Sequence, residues 1–133
     1  MKKDFDKWNE KKKKVHALAR APFFHEREIW FCYFGANVGF EQDGGQDFLR
    51  PVLVIRKFNH NIFWGIPLTK AKKHASKKAE RYYYSFSFVE SVVSVAILSQ
   101  IRLIYAKRLS RHIGSMQEKE FSELMKKLKA LLP

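Results

Sequence analysis

The chain has 133 residues, enough for one hydrophobic core and too few for two ordinary domains. With 46% hydrophobic and 15% aromatic residues it carries too much apolar surface to remain disordered. Its 26 Lys and Arg against 13 acids give a formal charge of +13, a field that attracts nucleic acid first, an anionic membrane surface second and an acidic protein third. No apolar run approaches the ~20 residues of a spanning helix and the N-terminal stretch lacks a signal-peptide core, so a cytoplasmic protein without a membrane partner is expected. A single cysteine, Cys32, forms no intramolecular disulfide and, set in the apolar run EIWFCYFG, reads as a packing residue.

In chain order, Phe5, Trp8, Lys12, Val15 and Leu18 recur at helical spacing, so residues 2–19 predict an amphipathic N-terminal helix with Lys11 to Lys14 on its solvated face. The helix ends before Pro22, which disfavours helical geometry at its predecessor. REIWFCYFG (27–35) is apolar on both faces and predicts a doubly covered strand. A loop over 36–49 leads to PVLVIRKF (51–58) and IFWGIPLT (62–69), a hairpin closed by NHN. Pro51 suits a first strand residue and Pro67 an edge or a strand end. KAKKHASKKAE (70–80) has five lysines and no large apolar side chain, and reads as a basic loop.

In RYYYSFSFV (81–89), Tyr82, Tyr84, Phe86 and Phe88 alternate with small or polar positions, the period of a half-buried strand. SVVSVAILSQIRLI (91–104) is a further β-branched run and RHIGSM (111–116) a short last strand. Phe121, Leu124, Met125, Leu128 and Leu131/Leu132 then mark an amphipathic C-terminal helix, with Ser115 and Glu118 at capping-box spacing. Trp30 and Trp64 read as core. The expected fold is mainly β: a small barrel of five to six strands with an N-terminal and a C-terminal helix. The whole chain, 1–133, forms one domain, with residues 1–26 as a helical extension and 27–133 as barrel plus helix.

Most site chemistries find no support. The five histidines lack metal-ligand spacing, DGG (43–45) is not followed by a phosphate-loop Lys, and there is no nucleophile elbow. What remains is a set of polar groups at strand ends: Glu41, Gln42, Arg50 and Thr69. An arginine fixed at the start of a rigid strand, beside a hydroxyl and a lysine loop, suits a phosphodiester, because guanidinium stays charged and grips two phosphate oxygens. An Arg50 that merely clamps its loop through Glu41 or Asp47 fits the composition equally well.

The blocks EQ, RPVLVI, PLT, SQIR and KRL, in that order between Arg27 and Leu132, resemble the MazF/PemK toxins of bacterial toxin–antitoxin modules. The resemblance implies an SH3-like barrel, a homodimer, and cleavage of single-stranded RNA without metal or other cofactor. The 2′-OH would attack the adjacent phosphorus and leave a 2′,3′-cyclic phosphate and a 5′-OH. Arg50 corresponds to the family's RP arginine and would neutralise the phosphorane. Thr69 corresponds to the hydroxyl residue that binds the scissile phosphate. Glu41 and Gln42 correspond to the EQ pair, with Glu41 orienting the loop or accepting the 2′-OH proton and Gln42 on the RNA. Lys70, Lys72, Lys73, Lys77 and Lys78 would contact RNA phosphates, and a cognate acidic antitoxin would neutralise the toxin. Three positions depart from the pattern: Phe40 and Ser99 stand where some members carry a histidine and an aspartate, and Tyr105 where an acid is common. A related-fold toxin that poisons DNA gyrase, and a silent nucleic-acid-binding module, are the alternative readings.

Overall fold

A computed structural model describes residues 21–34, 49–70 and 80–133. The expected N-terminal helix, most of the 36–49 loop and most of the basic loop lie outside the described residues. Among those described, seven strands and one α-helix follow in order: β1 (Glu28–Tyr33), β2 (Leu49–Lys57), β3 (Ile62–Lys70), β4 (Tyr83–Val89), β5 (Val92–Ile97), β6 (Arg102–Tyr105), β7 (Leu109–Ser115) and α1 (Glu118–Lys129). The sheet runs β4-β5-β3-β2-β1-β7, with β6 paired to β3 off this path. All its ladders are antiparallel.

β2 is buried on both faces, as its unbroken apolar run requires. Leu53 and Ile55 enter a core with Ile29, Ile66, Phe86 and Leu98, which α1 closes with Leu124 and Leu128. Val52 and Val54 point the other way, into a second cluster with Phe24, Trp30, Cys32, Phe63 and Ile104. One strand therefore belongs to two cores, and a slip of one residue would exchange their side chains. The register Trp30 opposite Val52 and Val52 opposite Pro67 is fixed on both sides.

The strand path curls far enough for its ends to touch without pairing. A Cβ on Gly114 of β7 would stand 2.6 Å from Cδ2 of Phe88 in β4, so the absence of a side chain there makes room for the ring. Among the described residues no ladder joins β4 to β7, and the expected barrel is realised as a rolled, open sheet. α1 is tied to β4 by the Tyr84 hydroxyl, which donates to Glu123 Oε2 at 2.7 Å, and by Lys127 Nζ, which donates to the Tyr83 carbonyl.

Several expectations need correction. The 91–104 run is not one strand: a 3₁₀ turn at Leu98–Gln100 splits it into β5 and β6, which pair with different stretches of β3. This division takes the expected five to six strands to seven. β4 and β5 are joined by the two residues Glu90 and Ser91, with Ser91 in the left-handed region at φ 68°. Pro51 is the third residue of β2 rather than its first. Pro67 lies inside β3, where the ladder on one edge passes from β6 (through Gly65) to β5 (from Leu68), so that edge demands no donor from it. The capping box does not form: Gln117 is the N-cap without a side-chain bond, and Ser115 Oγ lies 3.4 Å from His112 Nε2 instead. Trp30 is core, but Trp64 is 43% exposed, opposite the equally exposed Leu103 and edge-on to Phe58. No helix among the described residues is long and apolar enough to cross a membrane.

Two measurements check this packing. A Cβ on Gly65 would lie 2.6 Å from Val52 Cγ1 and 2.7 Å from Ile104 Cδ1, both on buried side chains, so Gly65→Ala should cost roughly 1–3 kcal/mol in urea unfolding. Burial raises the pKa of Glu28, but hydrogen bonds from the Trp30 indole and the His25 backbone, with the nearby His112, outweigh it and leave the carboxyl below its ordinary value. Glu28 therefore contributes stability that is full above the unfolded-chain value of about 4.3 and is lost as pH falls through the lower folded value. Glu28→Gln should lower the urea midpoint at neutral pH and flatten its decline between about pH 5 and about pH 3.

Candidate active site

β2 and β3 carry the site because their common register delivers two polar side chains to one end. The last registered pair there is Val52 opposite Pro67. Two residues further along each strand stand Arg50 and Thr69, which strand alternation places on the face of Val52 and Phe63. Both are half-buried, and Lys70 follows as an exposed cation at the end of β3. Arg50 is also fixed from β1, where it lies opposite Cys32. Glu41, Gln42, Lys72, Lys73, Lys77 and Lys78 lie outside the described residues.

Two further guanidiniums gather on this side of the sheet, and sequence reasoning had given neither a role. Arg108 Nη1 donates to the Tyr33 carbonyl at 3.3 Å, at the end of β1. Arg102, which enters β6 opposite Gly65, spreads its guanidinium 4.9 Å above the Phe34 ring. Both charges reach the thiol of Cys32. Burial pushes that thiol up to about 12 against the pull of Arg108 and Arg102, so Cys32 is a neutral packing group and not a nucleophile. The only hints in the sequence were the blocks SQIR and KRL. Arg102 and Arg108 are more than fifty residues from Arg50, and only the β3–β6 and β1–β7 pairings bring them near.

The arrangement suits an anion that bears charge on several oxygens. Guanidinium groups present planar, permanent donor forks, and a threonine hydroxyl adds a donor with no charge. Ser99 is an exposed residue of the 3₁₀ turn that leads into β6. Among the described residues no three of His, Cys, Asp and Glu gather in a metal-binding arrangement.

The family model described as PemK-like, MazF-like toxin of type II toxin–antitoxin system matches residues 25–132. The chain belongs to this family. No curated protein is significantly similar to it in sequence. Among solved structures it is similar to the Mycobacterium tuberculosis toxin MazF-mt6, with 15% identity, a TM-score of 0.57, and coverage of 78% of this chain and 94% of that one. It is also similar to an endoribonuclease from a mycobacterial species in complex with its cognate antitoxin, with 10% identity, a TM-score of 0.59, and coverage of 84% and 98%. At these identities the likeness is one of fold. Residues 35–48, before β2, and 71–79, after β3, lie outside the described residues.

The state of Cys32 can be checked directly. At about pH 8 an alkylating reagent should label the native protein at only a small fraction of the rate seen in urea, because less than about one thiol in a thousand is ionised when the pKa lies near 12. Labelling at the rate of an exposed thiol would show that the second cluster is not closed.

Proposed function

We propose that this MazF-like chain is a metal-independent endoribonuclease that cuts single-stranded RNA at a short sequence. The observation that carries the reading is the fixed position of Arg50: its backbone is held from β1, it precedes Pro51, and it shares a strand-end with Thr69 while Arg102 and Arg108 add charge nearby.

In this reading the RNA backbone crosses the start of β2 and the end of β3. The ribose 2′-oxygen attacks the adjacent phosphorus and loses its proton, while the bond from phosphorus to the 5′-oxygen breaks and that oxygen gains a proton. The products are a 2′,3′-cyclic phosphate and a 5′-OH. Negative charge grows on the non-bridging oxygens in the five-coordinate state, where Arg50 donates to it and Thr69 holds one oxygen in place. Such preorganised donors act mainly on the transition state, because the sheet has already fixed them. Glu41 orients Arg50 or accepts the 2′-OH proton, Gln42 contacts RNA, and Lys70, Lys72, Lys73, Lys77 and Lys78 bind flanking phosphates, a salt-dependent contribution.

The protein acts in this reading as a cytoplasmic homodimer held silent by a cognate acidic antitoxin. The charge of +13 supports such a partner, as does the fold shared with an endoribonuclease described in complex with its cognate antitoxin.

The test is incubation with a long unstructured RNA in excess EDTA, followed by mapping of fragment ends. Fragments with 5′-OH and cyclic-phosphate ends at a repeated motif are expected. Arg50→Ala should slow cleavage by roughly 100- to 1,000-fold, and Thr69→Val by about tenfold, with unfolding midpoints near that of the parent. Intact RNA from folded protein free of antitoxin would overturn the nuclease reading and favour a gyrase poison or a silent binding module.

A further inference from the structure

One face of the sheet gathers apolar side chains that the core does not cover. Trp64 lies opposite Leu103 across β3 and β6, and Ile62 lies opposite Tyr105. Residues two apart in a strand share a face, so these four stand together. The Phe58 ring meets Trp64 edge-on at 4.9 Å and carries the patch past the end of β2. Phe58, Trp64, Leu103 and Tyr105 are all exposed. Contiguous apolar surface of this kind marks a place where something docks.

The chain itself supplies a cover. Twenty residues precede Ala21, and the point where they join the sheet is fixed. Ala21 packs on the second cluster, the Phe24 ring lies 5.0 Å from Phe63, and Lys57 Nζ donates to the Phe24 carbonyl. Phe63 precedes Trp64 in β3 but faces the other way. The segment must therefore pass an edge of the sheet to reach the patch, and β6, which among the described residues pairs only with β3, provides that edge. Rounding one strand is a path on the order of 15 Å, and five extended residues span about 17 Å. Residues 16–20 are enough for it, which leaves residues 2–15 for the face.

The chemistry of that stretch matches. Phe5, Trp8 and Val15 recur at helical spacing, and a helix over 2–15 would run about 21 Å against about 13 Å for the paired stretch of β3 and β6. Lys12 shares their side, and a lysine packs its stem on apolar surface while its ammonium sits over an aromatic ring. Short helices owe most of their stability to an apolar face packed against something, and the patch is such a surface. A second copy of the chain fits less well: it would bring +13 against +13, whereas a tethered segment acts at an effective concentration of about millimolar.

We infer that the face formed by Phe58, Trp64, Leu103 and Tyr105 is the docking site of this chain's own residues 2–15, held through Phe5, Trp8 and Val15. The segment lies before the residues shared with the family, so this contact is an addition to the common fold. Trp64 is five residues from Thr69 along β3, roughly 17 Å, and on the opposite face. Docking there sets Lys11 to Lys14 apart from the proposed phosphodiester site, and the inference stands whether or not that site cuts RNA.

Amide hydrogen exchange of the full chain, read by mass spectrometry, tests the contact from both sides. Residues 2–15 of the parent should exchange at least about tenfold more slowly than in the unfolded chain, and Leu103→Asp or Tyr105→Asp should remove that protection. Phe5→Asp with Trp8→Asp, which leaves every strand residue unchanged, should in turn speed exchange over 102–105 by about tenfold, while Cys32 stays unreactive and so reports an intact sheet. Protection of 2–15 that is equal in the parent and in both face variants would overturn the inference, as would exchange over 102–105 that ignores the Phe5 and Trp8 substitutions. A molecular mass halved by Leu103→Asp but not by the N-terminal double variant would give the face to a second copy instead. Loss of affinity for a uridine oligonucleotide in Tyr105→Asp, with exchange over 2–15 unchanged, would give it to RNA.

Discussion

The structure depends on burying both faces of one strand. Val52 and Val54 on one side of β2, and Leu53 and Ile55 on the other, enter separate apolar clusters that share only the sheet between them. Each buried side chain of this size contributes roughly 1.5–3 kcal/mol, and a slip in register would misplace the whole set at once. Everything proposed for Arg50 follows from that. An arginine two residues before Val52, in a strand locked on both faces, has little backbone freedom left, and a charge intended to meet a developing charge is most effective when it need not move.

How far the sequence foretold this is best seen element by element. The β2–β3 hairpin and α1 were legible because their apolar periods, 2 and 3.6, are long and clean. So was the break between β4 and β5, where the runs 81–89 and 91–104 part at Glu90, although neither Glu90 nor Ser91 is the Gly or Asn usually associated with a left-handed φ. The corner at Leu98–Gln100 was hidden, because Leu98 is as apolar as the strand it ends. Trp64 was misread because its neighbours on the same face of β3, Ile66 and Leu68, are buried, whereas Trp64 lies beyond the reach of the core that covers them.

At the candidate site the same division holds. Arg50 and Thr69 announce themselves through the strand-end and proline pattern around them. Arg102 and Arg108 do not, because their relation to Arg50 exists only through the pairings of β6 and β7 and through an aromatic ring, Phe34, that no spacing rule connects to them. Non-local pairing is the part of a β fold that a linear pattern encodes least directly.

The contact of Phe88 with Gly114 sets the bore of the rolled sheet. Because the two end strands meet through a ring lying in a glycine notch rather than through a hydrogen-bonded ladder, the circumference is governed by the size of two side chains. A bulkier pair would unroll the sheet by a fraction of an ångström at the seam. Every strand between would share that displacement as a small change in tilt, so the spacing of charges on the opposite rim is partly written at a position that carries no charge.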